Sequence, residues 1–240
     1  MLYRVLVASH DADHVVAQSA MHIAIATSTC VMIINASIST RKQINARTLL
    51  MPYVWPFAGF IGVGAIAGAI AAEFFNSHVL RIAFVTYLAV TILDCLFRRG
   101  FITQLMSSSP RNLSVYATVP GGMCVGAIAT VLGVGGSVMT VPLLRRCGLS
   151  MTQATSLANP LSLPVALIGT ITYIFLAEMG GHDFGAWYLG YVDVLAFVII
   201  SAGALLGIRL ATPWLGKIPD RIHASVYISL LVVVMTSMIF

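Results

Sequence analysis

Charge is what this sequence has least of. Asp, Glu, Lys and Arg make up 9% of the 240 residues, against about 25% in an ordinary soluble domain. A globule of this size cannot cover its surface with so few polar groups, which excludes a water-soluble domain and leaves lipid as the compatible solvent. Alternating apolar and polar positions are also missing, which excludes barrel strands. There is no P-loop, so the chain does not hydrolyse ATP directly, and no HExxH pair to hold a catalytic zinc. Cys30, Cys95, Cys124 and Cys147 lack metal-ligand spacing and lie in or beside apolar segments, where they read as small packing residues. Residues 1–8 are too short for a secretory h-region and are followed at once by Asp11 and Asp13, so no signal peptide is expected. Nothing calls for a metal or an organic cofactor.

What is present is apolar sequence: 59% hydrophobic residues and a mean hydropathy of +0.95. It comes in stretches of roughly 20 residues, the length of a spanning helix. Backbone groups in lipid must be satisfied within their own segment or a closed barrel, so the fold class is all-α, a polytopic transmembrane bundle. The net charge of +5 sits in short clusters between apolar stretches. There it sets topology rather than binding nucleic acid.

Spans are expected at residues 20–39, 52–72, 79–97, 188–210 and 222–240, with a long apolar segment at 149–176. Gly59, Gly62, Gly64 and Gly68 in the second span point to close packing against another helix. Trp55, Trp187, Tyr188, Tyr191 and Trp214 fall near span ends as interfacial anchors. The stretch 113–146 is interrupted by Gly133-Val134-Gly135-Gly136-Ser137 and closed by Pro142 and Arg145-Arg146. It is read as a broken, re-entrant helix.

Two halves resemble each other, 1–104 and 105–240, together forming one membrane domain. Ala26-Thr27-Ser28 sits in its span as Ala154-Thr155-Ser156 does in the other half. The segment Gly64 to Gly68 pairs with Gly203 to Gly207, and Arg81 with Arg221. The second copy is preceded by the broken segment, whose counterpart before residue 20 is missing. Either the start is misassigned or the chain is a natural short form. If the broken segment enters and returns on one side, the clusters Arg41/Lys42/Arg47, Arg98/Arg99/Arg111, Arg145/Arg146 and Arg209/Lys217/Arg221 share a face. Arg4 and Arg81 then lie opposite, beside Glu178 and Asp183. The positive-inside rule favours that arrangement, which makes the halves inverted repeats, a common plan for secondary transporters.

Candidate chemistry gathers at two places. A helix restarting after Gly136 directs unpaired N–H groups and positive partial charge into the membrane, a setting suited to an anion. Gly133, Gly135, Gly136 and Ser137 then shape a substrate site. The same pattern also fits a glycine-rich packing crossing. Thr155, Ser156 and Asn159 offer hydroxyl and amide donors beside Pro160, and Thr27 and Ser28 repeat the arrangement in the first half. These hydroxyls equally suit bonds to their own helix or to neighbouring helices. No catalytic residue is assigned. Ser137 after two glycines imitates an intramembrane nucleophile, but His10, His14, His22, His78, His182 and His223 lie mostly at span ends or in loops. Asp94 and Asp193 lie near span ends and share no motif.

Gly133-Val134-Gly135-Gly136-Ser137, then Val141-Pro142-Leu143-Leu144, Gly148 and Ala154-Thr155-Ser156-Leu157 resemble the sulfite exporter TauE/SafE family of membrane permeases. Residues 20–28 and Ser37-Ile38-Ser39 look like the family's first repeat. Two departures stand out: the family's first glycine break is absent, and Ser137 stands where a third glycine is frequent. The resemblance implies a multi-pass protein of the bacterial or archaeal inner (plasma) membrane that moves sulfite, sulfonates or related small anions. Its partners are then the small anion and the bilayer. The oligomeric state is left open. A passive anion channel or a non-transporting membrane scaffold is the alternative function.

Overall fold

A computed structural model of the chain describes residues 2–9, 15–45, 51–97, 115–146, 151–181, 184–211 and 219–239. Its elements are α1 (Leu2–Ser9), α2 (Val15–Gln18), α3 (Ala20–Asn45), α4 (Met51–Glu73), α5 (Ser77–Phe97), α6 (Val115–Leu132), α7 (Ser137–Arg146), α8 (Met151–Met179), α9 (Val194–Ala211) and α10 (Asp220–Ile239). A short hairpin, β1 (Tyr188–Leu189) and β2 (Val192–Asp193), joins α8 to α9. Among the described residues, four helices are long and apolar enough to cross a membrane: Ala20–Asn45, Ser77–Phe97, Gln153–Met179 and Arg221–Met238. Shorter apolar helices at Phe57–Glu73, Val119–Leu132 and Val194–Leu210 complete a helical membrane bundle. Arg47, Arg98, Arg99, Arg111, Cys147, Gly148, His182, Asp183, Trp214 and Lys217 lie outside the described residues.

Helix ends are set by local chemistry. Asn76 opens α5 by accepting the Val79 amide at 2.9 Å, and Asp193 opens α9 by accepting the Ala196 amide at 2.9 Å. Both are N-caps that satisfy a donor the helix itself leaves free. The expected span at 188–210 is corrected by the same region. Residues 188–193 form the hairpin, turning at Gly190 with φ of 57°, and helix begins only at Val194. Glycine at the first central position of a two-residue loop supplies the positive φ that such hairpins require, and Asp193 then caps α9.

Glycine fixes the closest packing. A methyl group on Gly64 would overlap the Met123 carbonyl, one on Gly68 the Ala127 carbonyl, and one on Gly126 the Ile61 carbonyl. Contacts that advance together along both helices make α4 and α6 parallel, with backbones in direct contact as small residues allow. Gly62 packs on Ile168 of α8, whereas Gly59 faces open space. Helices α3 and α8 run antiparallel: Thr170 and Thr29 lie 3.4 Å apart, while Asn35 and Asn159 border one cavity further along. Helices α5 and α10 are also antiparallel, since Arg81 near the start of one donates to the Met238 carbonyl near the end of the other at 3.0 Å.

These directions sort the charges. The ends of α3, α5, α7 and α9 and the starts of α8 and α10 share one pole of the bundle. There stand Arg41, Lys42, Arg145, Arg146, Arg209 and Arg221, together with Asp94 and Asp220. The opposite pole carries Glu73, Glu178, Asp193 and Arg81. Helix α6 runs from the basic pole alongside α4, and α7 returns to that pole along α8. The apolar stretch after residue 113 is thus a broken helical hairpin that enters and leaves on one side.

Candidate functional site

The hairpin turns at residues 133–136. The Gly133 amide bonds the Thr130 carbonyl at 3.2 Å and the Val134 amide bonds the Ala129 carbonyl at 3.1 Å. Gly133 then takes φ of 61°, a left-handed conformation that costs a side-chain-bearing residue about 1–2 kcal/mol. Helix resumes at Ser137, with the Val138 amide on the Gly135 carbonyl (3.1 Å) and the Thr140 amide on the Gly136 carbonyl (2.8 Å). The turn lies inside the bundle. A side chain at Gly133 would meet Ile25 of α3, and one at Gly136 would meet Leu161 and Ser162 of α8.

A cavity of about 560 Å³ lies against this turn, within the range of small-molecule sites. Its polar lining comes from Tyr3, Ser28, Asn35, Asn159, Ser162 and the backbone of Gly133 and Gly135; the rest is apolar. Among the described residues no charged side chain borders it. The Ser28 hydroxyl donates to the Gly133 carbonyl at 3.2 Å, and the Ser162 hydroxyl donates to the Ala158 carbonyl of its own helix at 2.8 Å. Asn159 lines the cavity, and the buried Oδ1 of Asn35 has no hydrogen-bond partner. The amide orientation at Asn35 is interchangeable, so a donor or an acceptor is available there. Two side-chain amides, on antiparallel helices, thus flank the start of α7. A helix start carries partial positive charge, and amide donors bind oxyanions without the desolvation cost of a fixed cation.

The expected site residues fall into three groups. Ser28, Gly133, Gly135 and Asn159 come together around the cavity. Gly136 is buried one step behind it, and Ser137 opens α7, its side chain lying outside the described residues. Thr27, Thr155 and Ser156 do not border it. Thr27 is fully buried, its oxygen accepting the Asp193 amide at 3.0 Å. Thr155 and Ser156 donate to the Met151 and Gln153 carbonyls of their own helix, at 2.8 and 2.9 Å. Sequence reasoning passed over Asn35 and Ser162. Asn35 is the only amide side chain in the apolar run 20–39, and a lone polar group at that depth is costly unless used.

Behind the turn, Tyr173 of α8 is buried and donates to the Thr130 carbonyl at 2.9 Å. That oxygen also accepts the Gly133 amide, so Tyr173 holds the last turn of α6 where the helix ends. Tyr173→Phe is expected to lower stability by about 1 kcal/mol, the usual net worth of a buried hydrogen bond. A thermal-unfolding shift of purified protein reads it, and an unchanged melting temperature would show the bond to be idle.

The sequence profile of the family "Sulfite exporter TauE/SafE" matches residues 5–238. No curated protein and no solved structure matches the chain.

Proposed function

The chain belongs to the sulfite exporter TauE/SafE family, and from that premise we propose that it is a secondary transporter of small sulfur-containing anions such as sulfite or sulfonates. The observation that carries the reading is the uncharged cavity at the start of α7, where the amides of Asn35 and Asn159 and the hydroxyl of Ser28 surround a helix restart. Neutral donors and a helix end hold an oxyanion strongly enough to select it, and weakly enough to release it on the other side.

The antiparallel course of α3 against α8 and of α5 against α10 supports a reading in which 1–104 and 105–240 are inverted repeats. Rocking one against the other would then expose the cavity alternately to the two faces. Under the positive-inside rule the basic pole would face the cytoplasm, an orientation in keeping with a location in the inner or plasma membrane. The bond from Ser28 to Gly133 joins α3 to the turn and is a contact that an arriving anion would compete for.

The test is counterflow of radiolabelled sulfite in proteoliposomes containing the full chain. Saturable exchange is expected. Flux that rises linearly with concentration would indicate a channel, and no flux with any sulfur anion would overturn the reading. In the same assay, Asn35→Ala and Asn159→Ala should each raise the half-saturating concentration by roughly tenfold, the equivalent of about 1.4 kcal/mol. Thr155→Ala and Ser156→Ala should change it by less than about twofold, since their hydroxyls bond their own helix and an exposed or local bond is worth little. Equal effects from both pairs would displace the site from the cavity.

A further inference from the structure

A second polar cluster lies away from the cavity, at the acidic pole. Glu73 ends α4, and the Tyr191 hydroxyl of the hairpin donates to its Oε1 at 2.9 Å. Its other oxygen, Oε2, is buried and has no hydrogen-bond partner. Among the described residues no Arg or Lys pairs with this carboxyl. Among the described residues, the titratable groups around it come from three elements. His22 of α3 is 8% exposed and has Nε2 at 3.1 Å from the Ala72 carbonyl, which makes that nitrogen the donor. Its ring stacks on Tyr191 with centroids 5.5 Å apart. Tyr191 belongs to the hairpin, and Tyr173 of α8 meets it edge-on at 6.5 Å. Burial, then the bond to Glu73, push the Tyr191 phenol up from its ordinary value, so it remains a donor at neutral pH. At this point α6 contributes the Thr130 carbonyl.

We propose that Glu73 is the proton-binding group of the transporter, taking up and releasing one proton at Oε2 as the anion moves. The step is an acid–base exchange: a carboxylate and a proton from the aqueous phase of the acidic pole give a carboxylic acid, and the reverse releases the proton. A carboxylate with one buried oxygen lacking any donor carries a desolvation cost that protonation removes. The site also has a physical connection to the cavity. Tyr191 rests on Tyr173, Tyr173 donates to the Thr130 carbonyl, and that carbonyl holds the Gly133 amide at the turn, whose own carbonyl receives Ser28. Loss or gain of charge at Glu73 changes what Tyr191 is bound to, and every further link is a contact already made.

This inference rests on the transport reading, and the test separates the two. Proteoliposomes containing the full chain are assayed for radiolabelled sulfite counterflow at symmetric pH and for accumulation driven by an imposed pH gradient. Wild type is expected to do both. Glu73→Gln is expected to keep counterflow within about twofold and to lose about tenfold or more of the gradient-driven accumulation, inside the usual 5–150-fold range of site coupling. His22→Gln, which keeps a donor for the Ala72 carbonyl, is expected to keep both activities. Gradient-driven uptake that survives in Glu73→Gln but is lost in His22→Gln assigns the proton to His22 and overturns the proposal. So does a wild type that exchanges sulfite but ignores the gradient, although the transport reading then stands. Absence of wild-type counterflow overturns both. Should Glu73→Gln fail to assemble, Tyr191→Phe decides. Removing a donor to the carboxylate should move the pH midpoint of uptake upward, and an unmoved midpoint overturns the proposal.

Discussion

Gly126→Leu prevents the bundle from assembling. Residue 126 of α6 sits where α4 passes closest: a Cβ there would overlap the Ile61 carbonyl and lie 2.9 Å from the Ala65 amide nitrogen. Both are backbone atoms, so no side chain can rotate away. The helices must separate, and with them the reciprocal contacts of Gly64 and Gly68 on α6. Overpacking a tight site ordinarily costs 1–3 kcal/mol. Here the obstruction is backbone on backbone along a whole interface, and about 3 kcal/mol or more is expected. The measurement is the yield of monodisperse protein after detergent extraction, with the melting temperature of whatever survives. Gly203→Leu is the control, because a side chain there meets nothing within 4 Å, and substitutions at such positions stay within about 0.5 kcal/mol. Similar losses in both variants would show that the α4–α6 contact is not what holds the bundle.

Gly133→Val should abolish transport while leaving most of the protein folded. The residue needs φ of 61°, a conformation costing about 1–2 kcal/mol for an ordinary L-residue and more for a β-branched one. Its Cβ would also lie 2.9 Å from Ile25 Cα and 3.0 Å from Ile25 Cγ2. The strain is relieved only by moving the turn away from α3, which takes the Gly133 carbonyl away from Ser28 and reshapes the cavity wall. A displacement worth about 3 kcal/mol corresponds to roughly a hundredfold loss of rate, read as initial counterflow velocity. Gly136→Ala has φ in the ordinary range, and its new methyl would make contacts of 3.5 Å. It should cost only a few-fold. Loss of folded protein with Gly133→Val, rather than loss of flux, would make this glycine a folding element alone.

Comparison of particular residues shows what could be read from the sequence. The helical bundle and the break at Gly133 were legible because lipid tolerates few backbone solutions, and a run of glycines inside an apolar stretch contradicts a continuous helix. The two Gly-x-x-x-Gly stretches show the limit. Gly64 and Gly68 are pressed against Met123 and Ala127, whereas Gly203 and Gly207 meet nothing within 4 Å, although the local sequences are alike. Spacing tells which face is smooth but not whether a neighbour lies on it. Hydroxyls present the same difficulty. Ser28 reaches the cavity, while Thr155 and Ser156 turn back on their own helix, a choice between rotamers that residue type does not encode. His22, expected at a span end, is buried, and so is Tyr191, expected as an interfacial anchor. The hairpin carries that tyrosine back over the bundle to α4, a consequence of Gly190 that only tertiary structure displays.

Helix α9 packs on α3, and along it Phe197, Ser201, Ala204 and Ile208 are less exposed positions, while Val198, Leu206, Gly207 and Leu210 are exposed. Most of its circumference is therefore in contact with annular lipid. Extraction replaces that lipid with detergent, whose smaller and more mobile molecules fill the shallow groove over Gly203 and Gly207 less evenly. Delipidation is accordingly expected to loosen α9 before any other spanning helix, so short-chain detergents will first strip hydrogen-exchange protection from residues 194–211. Nanodiscs or added phospholipid should restore it.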